Sequence, residues 1–91
     1  MTATLDGTTV PGIAPMFRFQ WEEAQDCYVL LYPEGMVKLS QSAGEILKRC
    51  DGQKNIDTII AELHEQFPDI DVSDDVKTFL DKAIDNGWIR I

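Results

Sequence analysis

From Phe17 onward the chain alternates. Phe17, Phe19 and Trp21 are separated by Arg18, Gln20 and Glu22, the period of two expected of a half-buried strand. The polar run Glu23-Ala24-Gln25-Asp26 reads as a connection. Cys27 to Tyr32 (CYVLLY) is a second strand, rich in β-branched and aromatic residues. Pro33-Glu34-Gly35 follows. Proline presets φ for the first corner of a type I turn, and Gly35 is expected in the left-handed position that closes a three-residue hairpin loop. Met36 to Leu39 is then the third strand. Such a loop sets a register in which Tyr32 faces Met36, Leu31 faces Val37 and Val29 lies opposite Leu39. Val29, Leu31, Val37 and Leu39 are expected on the core face, and Leu30, Tyr32, Met36 and Lys38 on the other. A slip of one residue would reverse these assignments.

Beyond Leu39 the period lengthens to that of helices. Ser42 with Glu45 forms a capping-box pattern for the first helix, whose apolar stripe is Ala43, Ile46, Leu47 and Cys50. Asp51-Gly52 ends it, with Gly52 as a left-handed cap. Asn55 is expected to cap the second helix, with the stripe Ile56, Ile59, Ile60, Leu63 and Phe67, and Pro68 stops it. Ser73 is expected to cap the third, with Asp74 and Asp75 placed to suit the helix dipole. Its stripe is Val76, Phe79, Leu80, Ala83 and Ile84, and Gly87 terminates it. Trp88-Ile89-Arg90-Ile91 reads as a stub of strand.

The order is β-β-β-α-α-α, an α+β fold: a three-stranded antiparallel N-terminal sheet followed by three helices, in a winged-helix-like arrangement. The small, polar residues 1–15, with Gly7, Pro11, Gly12 and Pro15, read as a flexible N-terminal arm. Leu5, Val10 and Ile13 would be its weak docking points. Residues 16–91 read as a single domain, and a chain of 91 residues has room for one.

Charge narrows the partners. Sixteen acidic residues against 8 basic ones give a formal net charge of −8. A nucleic-acid backbone or an anionic bilayer calls for a basic surface, so both are disfavoured and a protein partner is favoured. The two cysteines, Cys27 and Cys50, each lie within an apolar pattern, with no CxxC pair for zinc. They read as reduced core residues of a cytoplasmic protein. The first 17 residues carry no Lys or Arg, as a signal peptide would, and no apolar run approaches the roughly 18 residues of a membrane span.

The chemistry of a catalyst is missing from the pattern. His64, on the flank of the second helix, is the single histidine. No glycine-rich phosphate loop is present, and the carboxylates are scattered over helix starts and exposed faces. The run DIDVSDD (69–75) has neither the central glycine nor the distal glutamate of a calcium loop. No cofactor and no metal site is expected. What the pattern does offer is an edge. In a three-stranded meander the third strand has one unpaired side, where an extended peptide can add as a further strand. Lys38 on that edge would discourage unwanted pairing. The stripe of the third helix would wall the groove.

The segment FRFQWEEAQDCYVLLYPEGMVKLSQSAGEILKRCDG, Phe17 to Gly52, closely resembles the PqqD family of pyrroloquinoline quinone biosynthesis. YVLLYPEGMVKL and SAGEILKRCDG carry the match. The remainder, with VSDDVKTFLDKAIDNGW, is similar to the wider family of peptide-recognition domains in ribosomal peptide modification. Ser40 stands where that family more often has Asn. The resemblance implies a non-catalytic chaperone that binds the precursor peptide PqqA against the third strand and third helix. It would present the peptide to the radical SAM enzyme PqqE, which crosslinks a Glu and a Tyr. The iron–sulfur clusters would belong to that enzyme. Carried over, the peptide-binding residues are Met36, Val37, Lys38 and Leu39 with Val76, Lys77, Phe79, Leu80 and Ala83. An open edge and a mobile arm allow either a monomer or a strand-exchanged homodimer.

Two other classes fit the sequence less well. A DNA-binding winged helix would read with SDDVKTFLDKAIDN, but Asp74, Asp75, Asp81 and Asp85 there outnumber Lys77 and Lys82. An acidic carrier protein needs a serine after Asp at a helix start, and neither Ser42 nor Ser73 follows Asp.

Overall fold

A computed structural model describes residues 6–91 of the chain. Its elements run β1 (Gly12–Ile13), β2 (Arg18–Glu22), β3 (Cys27–Tyr32), β4 (Gly35–Lys38), α1 (Gln41–Lys48), α2 (Ile56–Gln66), α3 (Ser73–Asp85) and β5 (Ile89–Arg90). β2, β3 and β4 form an antiparallel sheet in that order, and β1 pairs with β5 in a separate ribbon. The α+β architecture is the one that the alternation and the helical stripes predict.

The hairpin register differs from the expected one. Tyr32 pairs with Gly35, Leu31 with Met36, Leu30 with Val37 and Val29 with Lys38. The turn therefore holds two residues, Pro33 and Glu34, and the pairing shifts by one. Left-handed φ occurs at Gly52, Gly87 and Asp26, not at Gly35. Gly35 is already strand, and it is small for a different reason: a Cβ there would lie 3.2 Å from the Tyr32 hydroxyl. The shift reverses β3. Leu30, fully buried, joins the main core, with Tyr28 and Val37 packed against it. Val29 and Leu31 turn to the opposite face. The β4 half of the expectation stands, with Val37 and Leu39 inward and Met36 and Lys38 outward. Val29 is nonetheless fully buried, between its cross-strand neighbours Gln20 and Lys38.

The stripes of all three helices meet this inward face. Ala43, Ile46, Leu47, Cys50, Ile56, Ile59, Leu63, Val76, Leu80 and Ala83 form one buried cluster with Leu30, Leu39 and Ile89. α1 crosses β3 at its one glycine. A Cβ on Gly44 would stand 2.8 Å from Tyr28 Cδ2 and 3.1 Å from Tyr28 Cβ. Tyr28 in turn stacks on Phe19 at 4.8 Å and meets Trp21 edge-on at 5.0 Å. Arg49 ties the end of α1 to α2: its guanidinium donates to the Glu45 carboxylate and carbonyl (2.9 Å each), to Glu62 (3.1 Å) and to Gln66 (2.9 Å).

Two of the three caps move. The Ser40 hydroxyl, not Ser42, accepts from the Ala43 N–H at 3.2 Å. Ser40 has the extended backbone a cap requires, and Ser42 already lies inside the helix. Asn55 caps α2 as expected, accepting from the Thr58 N–H at 2.8 Å. Ser73 is the first helical residue of α3, and Asp71 accepts both its N–H (3.2 Å) and its hydroxyl (2.9 Å).

Residues 6–15, expected to be a flexible arm, are tied to the rest of the fold by backbone hydrogen bonds. The carbonyls of Thr9 and Gly7 accept the N–H groups of Ile56 and Asp57 at 2.9 Å each. These are donors that a helix start leaves without internal partners. Pro11 accepts from Gly52 at 3.1 Å, Ile13 pairs with Ile89, and Ala14 donates to the Trp88 carbonyl at 2.8 Å. Of the expected docking points, Ile13 is held in this way, Val10 is exposed, and Leu5 lies outside the described residues.

Candidate functional site

β4 is a marginal strand, paired with β3 alone among the described residues. Its hydrogen-bond phase follows from one contact. The Leu39 N–H donates to the Tyr28 carbonyl at 3.0 Å, so Tyr28 and Leu39 are a closely bonded pair. Bonded and non-bonded pairs alternate along an antiparallel ladder. Leu30–Val37 and Tyr32–Gly35 are then bonded pairs as well, while Val29–Lys38 and Leu31–Met36 are not. The N–H and C=O groups of Met36 and Lys38 accordingly point away from β3, along the free edge. Among the described residues no hydrogen bond from elsewhere in the chain reaches them.

The side chains of this edge divide by face. Val37 is half-buried on the core face, and Leu39 beside it is 6% exposed. Met36 (40% exposed) and Lys38 stand on the outward face. The cross-strand rows there are Arg18–Leu31–Met36 and Gln20–Val29–Lys38. Arg18, Lys38 and Lys77 take no part in any ion pair among the described residues; the pairs present join Arg49 to Glu45, and Arg49 and Lys54 to Glu62.

Of the α3 residues singled out from sequence, Val76, Leu80 and Ala83 are buried in the main core at 1%, 0% and 0% exposure. Their outer surface is nearly all covered, although Val76 also forms part of a cavity wall. Lys77 is exposed, and Phe79 is half-buried with its ring 6.4 Å from that of Trp88, so these two remain available on α3. An apolar cavity of about 160 Å³ opens where α1 begins, lined by Gln41, Ser42, Ile46, Leu63, Phe67, Ile70, Val72, Asp75 and Val76. Gln41 and Ser42 open α1, with Leu39 and Ser40 between them and the end of β4. The cavity was not legible in the sequence because it sets the start of α1 against the α2–α3 connection, which is distant from it along the chain. Exposed Ile70, left out of every stripe, was the one available signal.

The titratable groups have structural roles. Burial, with Asp51 adjacent, pushes the Cys50 thiol up to about 12, and its Sγ donates to the Ile46 carbonyl at 3.4 Å. The Lys54 ammonium on Glu62, helped by Arg49, holds that carboxyl below its usual range. The N–H of Gln53 does the same for Asp51, and the hydroxyl and N–H of Ser73 for Asp71. Asp71, in the run that faintly suggested a calcium loop, is thus engaged at the start of α3. Among the described residues no three of His, Cys, Asp and Glu gather as a metal set, and no helix is long and apolar enough to cross a membrane.

Comparison with known proteins places this geometry in context. The family model described as "Coenzyme PQQ synthesis protein D (PqqD)" matches residues 27–89. A "PqqA binding protein" of Pseudomonas paraeruginosa (strain DSM 24068 / PA7) is 52% identical over 84 residues, covering 91% of both chains. A protein of the same name from Methylococcus capsulatus (strain ATCC 33009 / NCIMB 11132 / Bath) is 44% identical over 87 residues, covering 96% of this chain and 94% of its own. Among solved structures, the solution NMR structure of the PqqD truncation of Methylobacterium extorquens PqqCD, described as a stand-alone RiPP recognition element, superposes with a TM-score of 0.78. It covers 97% of this chain and 96% of its own at 22% identity, a likeness of fold.

Proposed function

The chain belongs to the PqqD family, and from that premise we propose that it is a non-catalytic carrier of the precursor peptide PqqA, which it holds as an added strand and presents to the radical SAM enzyme PqqE. The observation that carries this reading is the pair of outward N–H and C=O sets at Met36 and Lys38 on the marginal strand β4. Strand addition draws affinity from such main-chain groups and specificity from the side chains beside them. The curated relatives bear the name PqqA binding protein, which supports the choice of guest. The binding set expected from sequence contracts to Met36, Val37 and Lys38 on the strand and Lys77 and Phe79 on α3. Leu39, Val76, Leu80 and Ala83 support these residues from the core.

Titration of the labelled protein with synthetic PqqA, followed through amide shifts, tests the reading. The largest shifts are expected at Met36 and Lys38, with smaller ones at 77–79. Shifts concentrated at Phe19 and Trp21, on the opposite margin of the sheet, would move the docking edge to β2 and refute it. Addition of PqqE to the complex is expected to shift a further, separate set of amides.

A further inference from the structure

The reading of β4 as a docking edge leaves open which features of a guest it selects. The outward main-chain groups of β4 belong to alternate residues, Met36 and Lys38, while the inward side chain between them belongs to Val37. Each described strand pair in this molecule is antiparallel, and antiparallel ladders are the more stable per residue. An antiparallel guest continuing the sheet sets its residue i opposite Lys38, i+1 opposite Val37 and i+2 opposite Met36. Paired residues share a face.

Resting on the functional reading above, we propose that the edge reads its guest in two interleaved phases: the backbone at i and i+2, and the side chain at i+1. Residues i and i+2 exchange N–H and C=O bonds with Lys38 and Met36, so both need a free N–H. Their side chains emerge on the outward face. There Lys38, lacking an ion-pair partner among the described residues, favours a carboxylate at i; Met36 and Leu31 favour an apolar group at i+2. Residue i+1 turns its N–H and C=O away from β4 and its side chain inward, over half-buried Val37. That position takes an apolar residue and tolerates proline or N-methylation. The guest class is an extended segment of the form acidic–apolar–apolar.

The test is a backbone N-methyl scan of a synthetic PqqA peptide, set beside an alanine scan, with affinities measured against the full chain. N-methylation at two positions spaced by two is expected to weaken binding about tenfold or more, since each blocks a main-chain bond and strands an acceptor. N-methylation at the position between them leaves affinity within about threefold, whereas alanine at that same position weakens it. Lys38→Gln is expected to erase the preference for a carboxylate at i while the N-methyl pattern persists. If the N-methyl-sensitive and alanine-sensitive positions coincide, or if no alternation appears, the two-phase proposal is overturned while the docking edge stands. If unmodified PqqA binds without shifting Met36 and Lys38, or does not bind, the functional reading falls and this proposal with it.

Discussion

Leu30 stands directly across from Val37, both on the face that packs against the helices. Because this is a bonded pair, the neighbouring pair Val29–Lys38 is not, and Lys38 turns its N–H to the open edge. Proline substitution separates the two roles. Val37→Pro removes the donor to Leu30 and leaves a buried carbonyl unpaired, a loss of about 1–3 kcal/mol of stability. Lys38→Pro, on the free side of a marginal strand, is expected to leave the melting temperature nearly unchanged and to weaken peptide binding strongly. Thermal unfolding and a binding titration of the two variants check the contrast.

Gly44→Ala tests how closely α1 approaches the sheet. Alanine gains up to about 1 kcal/mol of helix propensity over glycine. The new methyl would nevertheless stand 2.8 Å from Tyr28 Cδ2 and 3.1 Å from Tyr28 Cβ, and a Cβ cannot rotate away from its own backbone. Overpacking of this kind costs about 1–3 kcal/mol. The expected result is a net loss of stability in chemical denaturation, accompanied by amide shifts at Tyr28 and Phe19.

Acid should loosen the tie between α1 and α2. Glu62 is held below its usual range first by Lys54 and then by Arg49, so its folded-state value is depressed. A depressed carboxyl contributes stability that is present above its unfolded value and is lost as pH falls through the folded value. Asp51 and Asp71 shift in the same direction, which places the acid limb of the stability curve below about pH 4. Arg49→Met is expected to lower the melting temperature at neutral pH by about 4–8 °C, while the limb, set first by Lys54 on Glu62 and by the N–H groups on Asp51 and Asp71, persists. Melting curves collected from pH 7 downward on both proteins check it.

Removal of residues 1–14 would take away the acceptors for Ile56, Asp57 and Gly52, the strand partner of β5, and the buried residues Pro11 and Ala14. The truncated chain is expected to melt lower by about 10 °C or more, the sum of several lost hydrogen bonds. A truly independent arm would leave the melting temperature unchanged.

The two thiols should differ. Cys27 is half-buried at the start of β3, whereas Cys50 is 1% exposed with its thiol pushed up to about 12. The thiolate is the reactive form. A thiol reagent at neutral pH is expected to label Cys27 alone in the native protein and both cysteines in denaturant, as read by mass.

Local pattern by itself determined the three helical stripes, the alternation of Phe17, Phe19 and Trp21, the asparagine cap at Asn55, the left-handed cap at Gly52 and the end of the third helix at Gly87. Each is a local preference or a repeat that a few neighbouring residues carry. The order of elements followed from these, and with it the expectation of an unpaired third strand. The tertiary structure decided what depends on distant partners. A one-residue difference in turn length placed Leu30 in the core instead of Val29 and Leu31, because CYVLLY is apolar on both faces and no alternation marks its inner side. The ordering of residues 6–15 rests on carbonyls meeting the start of α2 and on backbone pairing with β5, bonds that any sequence can make and none advertises. The free edge of β4 falls between these cases: the existence of a marginal strand was legible in the sequence, but which of its main-chain groups face outward was fixed only by the register to which the whole core commits it.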